Sequence, residues 1–259
     1  MKTSNQLQYQ EFLPSSAMAQ YLAGHWKFVV PVNWDGPLEH IAPPDGCVSL
    51  FICKNARHHF QLMGLLGPQL NMLETTFMPG SVYWGIRFFP GAFPCFFDHE
   101  IELLPKQGEI LPRNEWFEPF LEHLSPDFED AELFEQNLLK AKRKEPDLEV
   151  AKVVREIVKT EGQCKVADLV QQAFVSERQL QKRFRKAVGL SMKELARVFR
   201  LRAALAQLVM QEQGVLDISF DKGFYDQSHF LHEFQRFARQ KPDQVKRYLR
   251  SIQHHDVHW

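Results

Sequence analysis

No apolar run in the chain approaches the ~18–20 residues that a membrane span needs, so no membrane partner is expected. The four cysteines, Cys47, Cys53, Cys95 and Cys164, form no Cys-x-x-Cys pair, and reduced, buried thiols are expected. The start, Met1-Lys2-Thr3-Ser4, lacks the basic-then-apolar layout of a secretory signal, which makes the expected location cytoplasmic. Residues 1–113 hold no metal-ligand spacing, phosphate loop or nucleophile motif. The expectation is therefore a protein that is not an enzyme, with no catalytic residues, metal or cofactor.

Four features that superficially suggest chemistry are read as bland. His254, His255 and His258 fall in a terminal tail, and the adjacent His58 and His59 point to opposite faces of a strand. Asp98, Glu100 and Glu102 make a charged solvent face. Cys47 follows a tight Asp45-Gly46 turn, but nothing nearby in sequence activates its thiol.

What is present is a soluble, globular composition, 44% hydrophobic and 24% charged over 259 residues, enough for one large or two ordinary domains. The net charge of −1 conceals an asymmetry. Residues 1–147 hold 11 Lys and Arg against 19 Asp and Glu, whereas residues 148–259 hold 20 against 13. Basic excess confined to one part of a chain is what a phosphate-binding surface requires.

Between Trp26 and Leu104, short runs rich in β-branched and aromatic residues predict strands at 26–32, 47–53 and 82–89. Turn signals stand at Pro43-Pro44-Asp45-Gly46, Gly64, Gly67-Pro68, Pro79-Gly80 and Pro90-Gly91. A small barrel or sandwich is expected there. From Asn114 the spacing turns helical, with Trp116, Phe117, Phe120, Leu121 and Leu124, then a restart at Ser125-Pro126. Phe128, Phe134, Leu138 and Leu139 continue that apolar face. This connector is the expected relay between domains, and a homodimer contact is open to it. The divisions are a β-rich sensor-like domain over 1–113, a helical connector and linker over 114–147, a DNA-binding domain over 148–250 and a tail over 251–259.

From Leu148 onward everything is helical. Val150, Val153, Val154, Ile157 and Val158 give one face, closed by Gly162. Residues 166–172 and 176–188 form a first helix-turn-helix unit, capped by Ser176 and closed by Gly189, with Leu180 and Phe184 as its inward stripe. A long helix over 192–210 leads to a second unit at 216–222 and 227–237. Asp226 caps its second helix, and Phe230 and Phe234 form the stripe. A short helix is expected over 242–248. Two helix-turn-helix units in tandem make DNA the first suspect.

The chain is similar to the AraC/XylS family of transcription regulators over about 155–250. The carrying residues are Ser176-x-Arg178-x-Leu180-x-Lys182-x-Phe184, Gly189-Leu190-Ser191, Arg202-x-x-x-Ala206 and Ile218. The closing run is Gly223-Phe224-x-Asp226-Gln227-Ser228-His229-Phe230-x-x-x-Phe234. Departures are His232 for a usual Arg or Lys, Lys182 for Arg, Met192 for Pro, and Arg239 and Lys241 for the Gly and Ser/Thr before Pro242. Pro44 to Leu50 and Gly85 to Gly91 also resemble a β-rich sensor module of some of these regulators.

The resemblance implies an α+β protein: an N-terminal β-rich barrel or sandwich with flanking helices, then an all-α domain with two helix-turn-helix units joined by a long helix. Its implied partners are double-stranded DNA, a small-molecule effector of unknown identity and the transcription machinery. Arg178, Gln181 and Lys182 are expected to reach bases, and Arg185 and Lys186 phosphates. In the second unit Gln227, Ser228, His229, Leu231 and His232 take the equivalent places, with Leu231 limited to apolar contact and His229 equally suited to securing the turn. Two other readings stand beside the leading one. They are a β-domain enzyme or carrier with accessory DNA binding, and a regulator controlled by a protein partner without a small ligand.

Overall fold

The computed structural model describes residues 7–58, 60–98, 101, 104, 131–210 and 221–252. The first part is β-rich and the second helical, an α+β architecture. Seven strands are described: β1 (Gln8–Phe12), β2 (Leu22–Val29), β3 (Leu38–Ala42), β4 (Val48–Asn55), β5 (Phe60–Leu66), β6 (Leu73–Phe77) and β7 (Ser81–Phe88). β1-β2-β7-β4-β5 make one antiparallel sheet, and β3-β6 a separate antiparallel ribbon.

The central strands β4 and β7 are covered on both faces, so they carry apolar side chains at most positions instead of a plain alternation. Leu50, Ile52, Met63, Leu65, Ile86 and Phe88 point to one face. There they meet Phe93, Phe96 and Phe97 around a 3-10 turn at Phe93–Cys95 and helix α1 (Ala131–Lys140), which contributes Phe134 and Leu138. His25 of β2 and Glu135 of α1 pair at 2.6 Å within this layer, both buried. Phe28, Cys53 and Tyr83 point to the other face, toward the ribbon and the helical half.

Six further helices stand among the described residues: α2 (Leu148–Lys159), α3 (Val166–Gln171), α4 (Glu177–Val188), α5 (Met192–Met210), α6 (Gln227–Ala238) and α7 (Pro242–Ile252). Leu180, Phe184, Val188 and Leu195 build a core with the apolar face of α2. Leu201, Leu205, Phe230, Phe234, Val245, Leu249 and Ile252 build a second, which continues without a break into Phe28, Val30, Phe77 and Tyr83 of the β-rich half.

Several sequence expectations change. Gly64 is not a turn but lies inside β5, opposite Phe51, whose ring occupies the space a Cβ would take, 2.2 Å from the built position. α7 runs to Ile252, beyond the expected end at 248, because Leu249 and Ile252 are buried against the β-rich half. The two halves therefore meet directly. The buried residues of α1, the described part of the expected relay, belong instead to the cluster on the far face of the sheet. Asp98 follows the 3-10 turn rather than sitting in a strand, and His58 lies in a turn. The helices expected over 114–124 and from Ser125-Pro126 lie outside the described residues. So do Ile218, Glu100, Glu102, His59 and the tail histidines.

Candidate nucleic-acid interface

Local chemistry positions the first reading helix. The Ser176 hydroxyl accepts from Gln179 N and the Gln179 side chain accepts from Ser176 N, a capping box at the start of α4. Gly189 ends the helix at φ +78. Leu180 and Phe184 are fully buried, which turns Arg178, Gln181, Lys182, Arg185 and Lys186 to solvent. Two of these have intramolecular partners: Gln181 donates to Glu177 at 2.9 Å, and Arg185 pairs with Glu194 at 3.3 Å.

The second reading helix, α6, starts at Asp226, whose carboxylate accepts from His229 N at 2.7 Å. His229 Nδ1 in turn accepts from Tyr225 N at 3.2 Å, and its ring meets Phe224 edge-on at 5.7 Å. The turn-securing role of His229 is thus visible. Phe230 and Phe234 are buried, and Gln227, Ser228, His229, Leu231 and His232 face outward. Every expected DNA-contact side chain is exposed, and the two sets lie on two separate helices. Of the preceding helix of this unit only Asp221 and Lys222 are described.

Tyr225 is 87% exposed beside the α6 cap, between residues that carry the resemblance to the AraC/XylS regulators.

Both reading helices touch the connection between β5 and β6. A Cβ at Gly189 would lie 3.0 Å from Pro68 Cγ, Leu70 packs against the core of the first unit, and Met72 N donates to Phe237 O of α6 at 3.0 Å. The same connection lines a cavity of about 320 Å³ with Leu66, Gly67, Gln69 and Leu73. Its remaining wall comes from the sheet, the ribbon, and Arg202, Leu249 and Ile252 of the helical half.

A charged cluster sits in this wall. Arg87 donates from Nη1 to Glu11 at 2.7 Å and from Nη2 to the Tyr9 hydroxyl at 2.6 Å, and its Nε pairs with Asp45 at 2.9 Å. Burial works against the charge on Arg87, but Tyr9, Glu11 and Asp45 overcome it and hold the guanidinium protonated. Burial likewise opposes the Glu11 carboxylate, but Arg87, the Tyr9 hydroxyl and Arg202 together outweigh it and keep its pKa low. Cys47 lines the cavity with both arginines near, yet burial, aided by Asp45, pushes its thiol well up and disfavours the thiolate. The three other cysteines are free thiols too. Nothing in local spacing announced this cluster. The one clue was an arginine near the end of a largely apolar strand, where it must find partners.

The halves are also joined by a hydrogen bond of 2.6 Å between His40 Nδ1 of β3 and the Tyr248 hydroxyl of α7. Burial depresses His40 to about 3 and raises Tyr248 to about 12, so both are neutral at ordinary pH.

Residues 169–248 match a family described as Helix-turn-helix domain, and residues 10–108 match one described as Domain of unknown function (DUF6597). No curated protein matches the chain. Among solved structures the chain is similar to ToxT from Vibrio cholerae, at 12% identity, 94% of this chain, 98% of that one and a TM-score of 0.44. It is also similar to the DNA-binding domain of AdpA, a global transcriptional factor in complex with a target DNA, at 22% identity, 39% of this chain, 92% of that one and a TM-score of 0.36. A third likeness is to xylose-binding transcription activator xylR, at 21% identity, 40% of this chain and a TM-score of 0.37, where the chain spans 28% of that protein's length. The helix-turn-helix match spans both α4 and α6 with their caps, so residues 169–248 form a helix-turn-helix domain.

Proposed function

We propose that the chain reads a specific sequence in double-stranded DNA with both α4 and α6, and that a small-molecule effector in the shared cavity controls it. Arg178, Gln181 and Lys182 are the base readers of α4, with Arg185 and Lys186 on phosphates. In α6, Gln227, Ser228, Leu231 and His232 face the groove, with Leu231 offered to a thymine methyl and His229 holding the turn. The chain divides into a sensor-like unit over 1–113, a connector and linker over 114–147 and a DNA-binding unit from 148.

One observation carries the effector part: the cavity wall is built from both halves. A ligand shifts an equilibrium only by its differential affinity for two states. A molecule touching Leu66, Arg202 and Leu249 together binds differently once the halves move apart. The connection at 67–72, in contact with cavity and reading helices alike, is the route by which that difference reaches DNA.

Footprinting of the full chain on its operator tests the DNA reading. One protomer is expected to protect two successive major grooves on one face, ~10 base pairs apart. Protection of a single groove per chain would remove α6 as a reader. A cavity ligand that raises the melting temperature but leaves operator affinity unchanged would remove the effector role.

A further inference from the structure

The cavity also specifies the kind of molecule it takes. Trp26 and Phe51 lie flat on the sheet, because the residues opposite them are Gly85 and Gly64. A Cβ on Gly85 would fall 2.4 Å from the Trp26 indole, and one on Gly64 2.2 Å from the Phe51 ring. The two rings, 6.4 Å apart and inclined at 38° to each other, both line the cavity. Phe28, Phe77 and Tyr83 wall it, with Phe77 and Tyr83 stacked at 4.0 Å. Two rings inclined in this way make an aromatic trough, which complements an aromatic ring better than a branched aliphatic group, because a ring can stack on one and meet the other at an angle.

Charge sets the second requirement. The ionised groups in the wall are Arg87 and Arg202 against Glu11 and Asp45, a sum of zero. Burial keeps the other titratable lining groups, Tyr9, His40, Cys47, Cys53 and Tyr83, neutral. An ion entering this wall would lose its hydration with no uncompensated counter-charge to replace it.

Resting on the effector reading above, we propose that the cavity binds a neutral aromatic molecule that packs in the trough of Trp26 and Phe51 and presents one hydrogen-bonding group to the Arg87–Glu11–Asp45 end.

Calorimetry of the full chain with 2-naphthol, 2-naphthoate and 2-naphthylmethylammonium separates the possibilities, since the three share a ring and differ in charge. Naphthol is expected to bind at least about tenfold more tightly than either ion, given what burying an unpaired charge costs. Asp45→Asn, which leaves the wall one positive charge in excess, is expected to move the preference toward naphthoate. Leu62→Trp fills the cavity from β5 without touching the charged groups, is expected to abolish naphthol binding, and serves if Asp45→Asn fails to fold. Equal or tighter binding of either ion to the native chain overturns the proposal, as does no binding of any of the three. Operator affinity measured with each bound probe keeps the two readings apart. An ion that binds best and changes operator affinity sinks the ligand class alone. Naphthol bound with the expected selectivity but without effect on operator affinity sinks the effector role alone.

Discussion

Arg239 closes the second reading helix in the left-handed region, at φ +53, with its N–H bonded to Gln235 O. That conformation costs a residue with a Cβ about 1–2 kcal/mol, and glycine avoids it. Gly189 does the same job for the first helix without strain. Arg239→Gly is therefore expected to stabilise the chain by about 1 kcal/mol, less whatever entropy the freer unfolded chain regains. Thermal unfolding checks this, and an unchanged or lower midpoint would show that the Arg239 side chain has a compensating role. A second pair of substitutions addresses recognition. Lys182→Ala should lose about 1–3 kcal/mol of discrimination between operator and random DNA. Arg185→Ala should weaken both by a similar factor and lower the salt slope by about 1. Indistinguishable behaviour of the two variants would mean that the base-reading face of α4 has been misassigned.

At the scale of elements, what was legible in the sequence was what local chemistry decides. Ser176, Asp226, Gly162, Gly189 and Gly223 mark their turns and caps by type, and the stripes Leu180/Phe184 and Phe230/Phe234 announce which faces are buried. Less legible were β1, β3 and β6, whose sequences QYQEF, LEHIA and LETTF mix charge with apolar residues. β1 is an edge strand, and β3 and β6 pair only with each other, so hydropathy gave no clean period. Gly64 looked like a turn because its reason for being glycine, the ring of Phe51, belongs to another strand. The cavity cluster was illegible for the same reason, since Tyr9, Glu11, Asp45 and Arg87 come from three separated stretches of chain.

The β5–β6 connection yields the prediction proper to this scale. Because it touches the closing turn of α4, the core beneath it and the last turn of α6, loosening it frees one reading helix relative to the other. Leu70→Ser is expected to leave affinity for a single half-site unchanged. It should flatten the native preference for half-sites about 10 base pairs apart over those set one or two pairs wider. Band-shift titrations on a series of spaced operators measure it. A spacing preference as sharp as that of the native chain would show that the two helices are held by α5 alone.

At the scale of the whole molecule, the two halves share one apolar cluster running from Phe28 and Phe77 to Phe230 and Leu249, so their stabilities are coupled. His40 is a titratable residue at that junction, stacked on Phe77 at 4.7 Å, edge-on to Phe28 at 5.0 Å and bonded to Tyr248. Its pKa is about 3 in the folded chain against an ordinary 6.5, because burial penalises the charged ring. The unfolded state then binds the proton first. His40 contributes nothing to pH dependence above about 6.5, and stability falls progressively as pH drops from there toward about 3. His40→Gln, uncharged at every pH, is expected to be less stable than the native chain at pH 8, where it loses ring contacts with Phe77 and Phe28. It should also lose less stability on acidification to pH 5. Urea unfolding of both proteins at the two pH values decides the matter. A native chain whose stability between pH 8 and 5 falls no more than that of the variant would place the acid sensitivity of the junction elsewhere than His40.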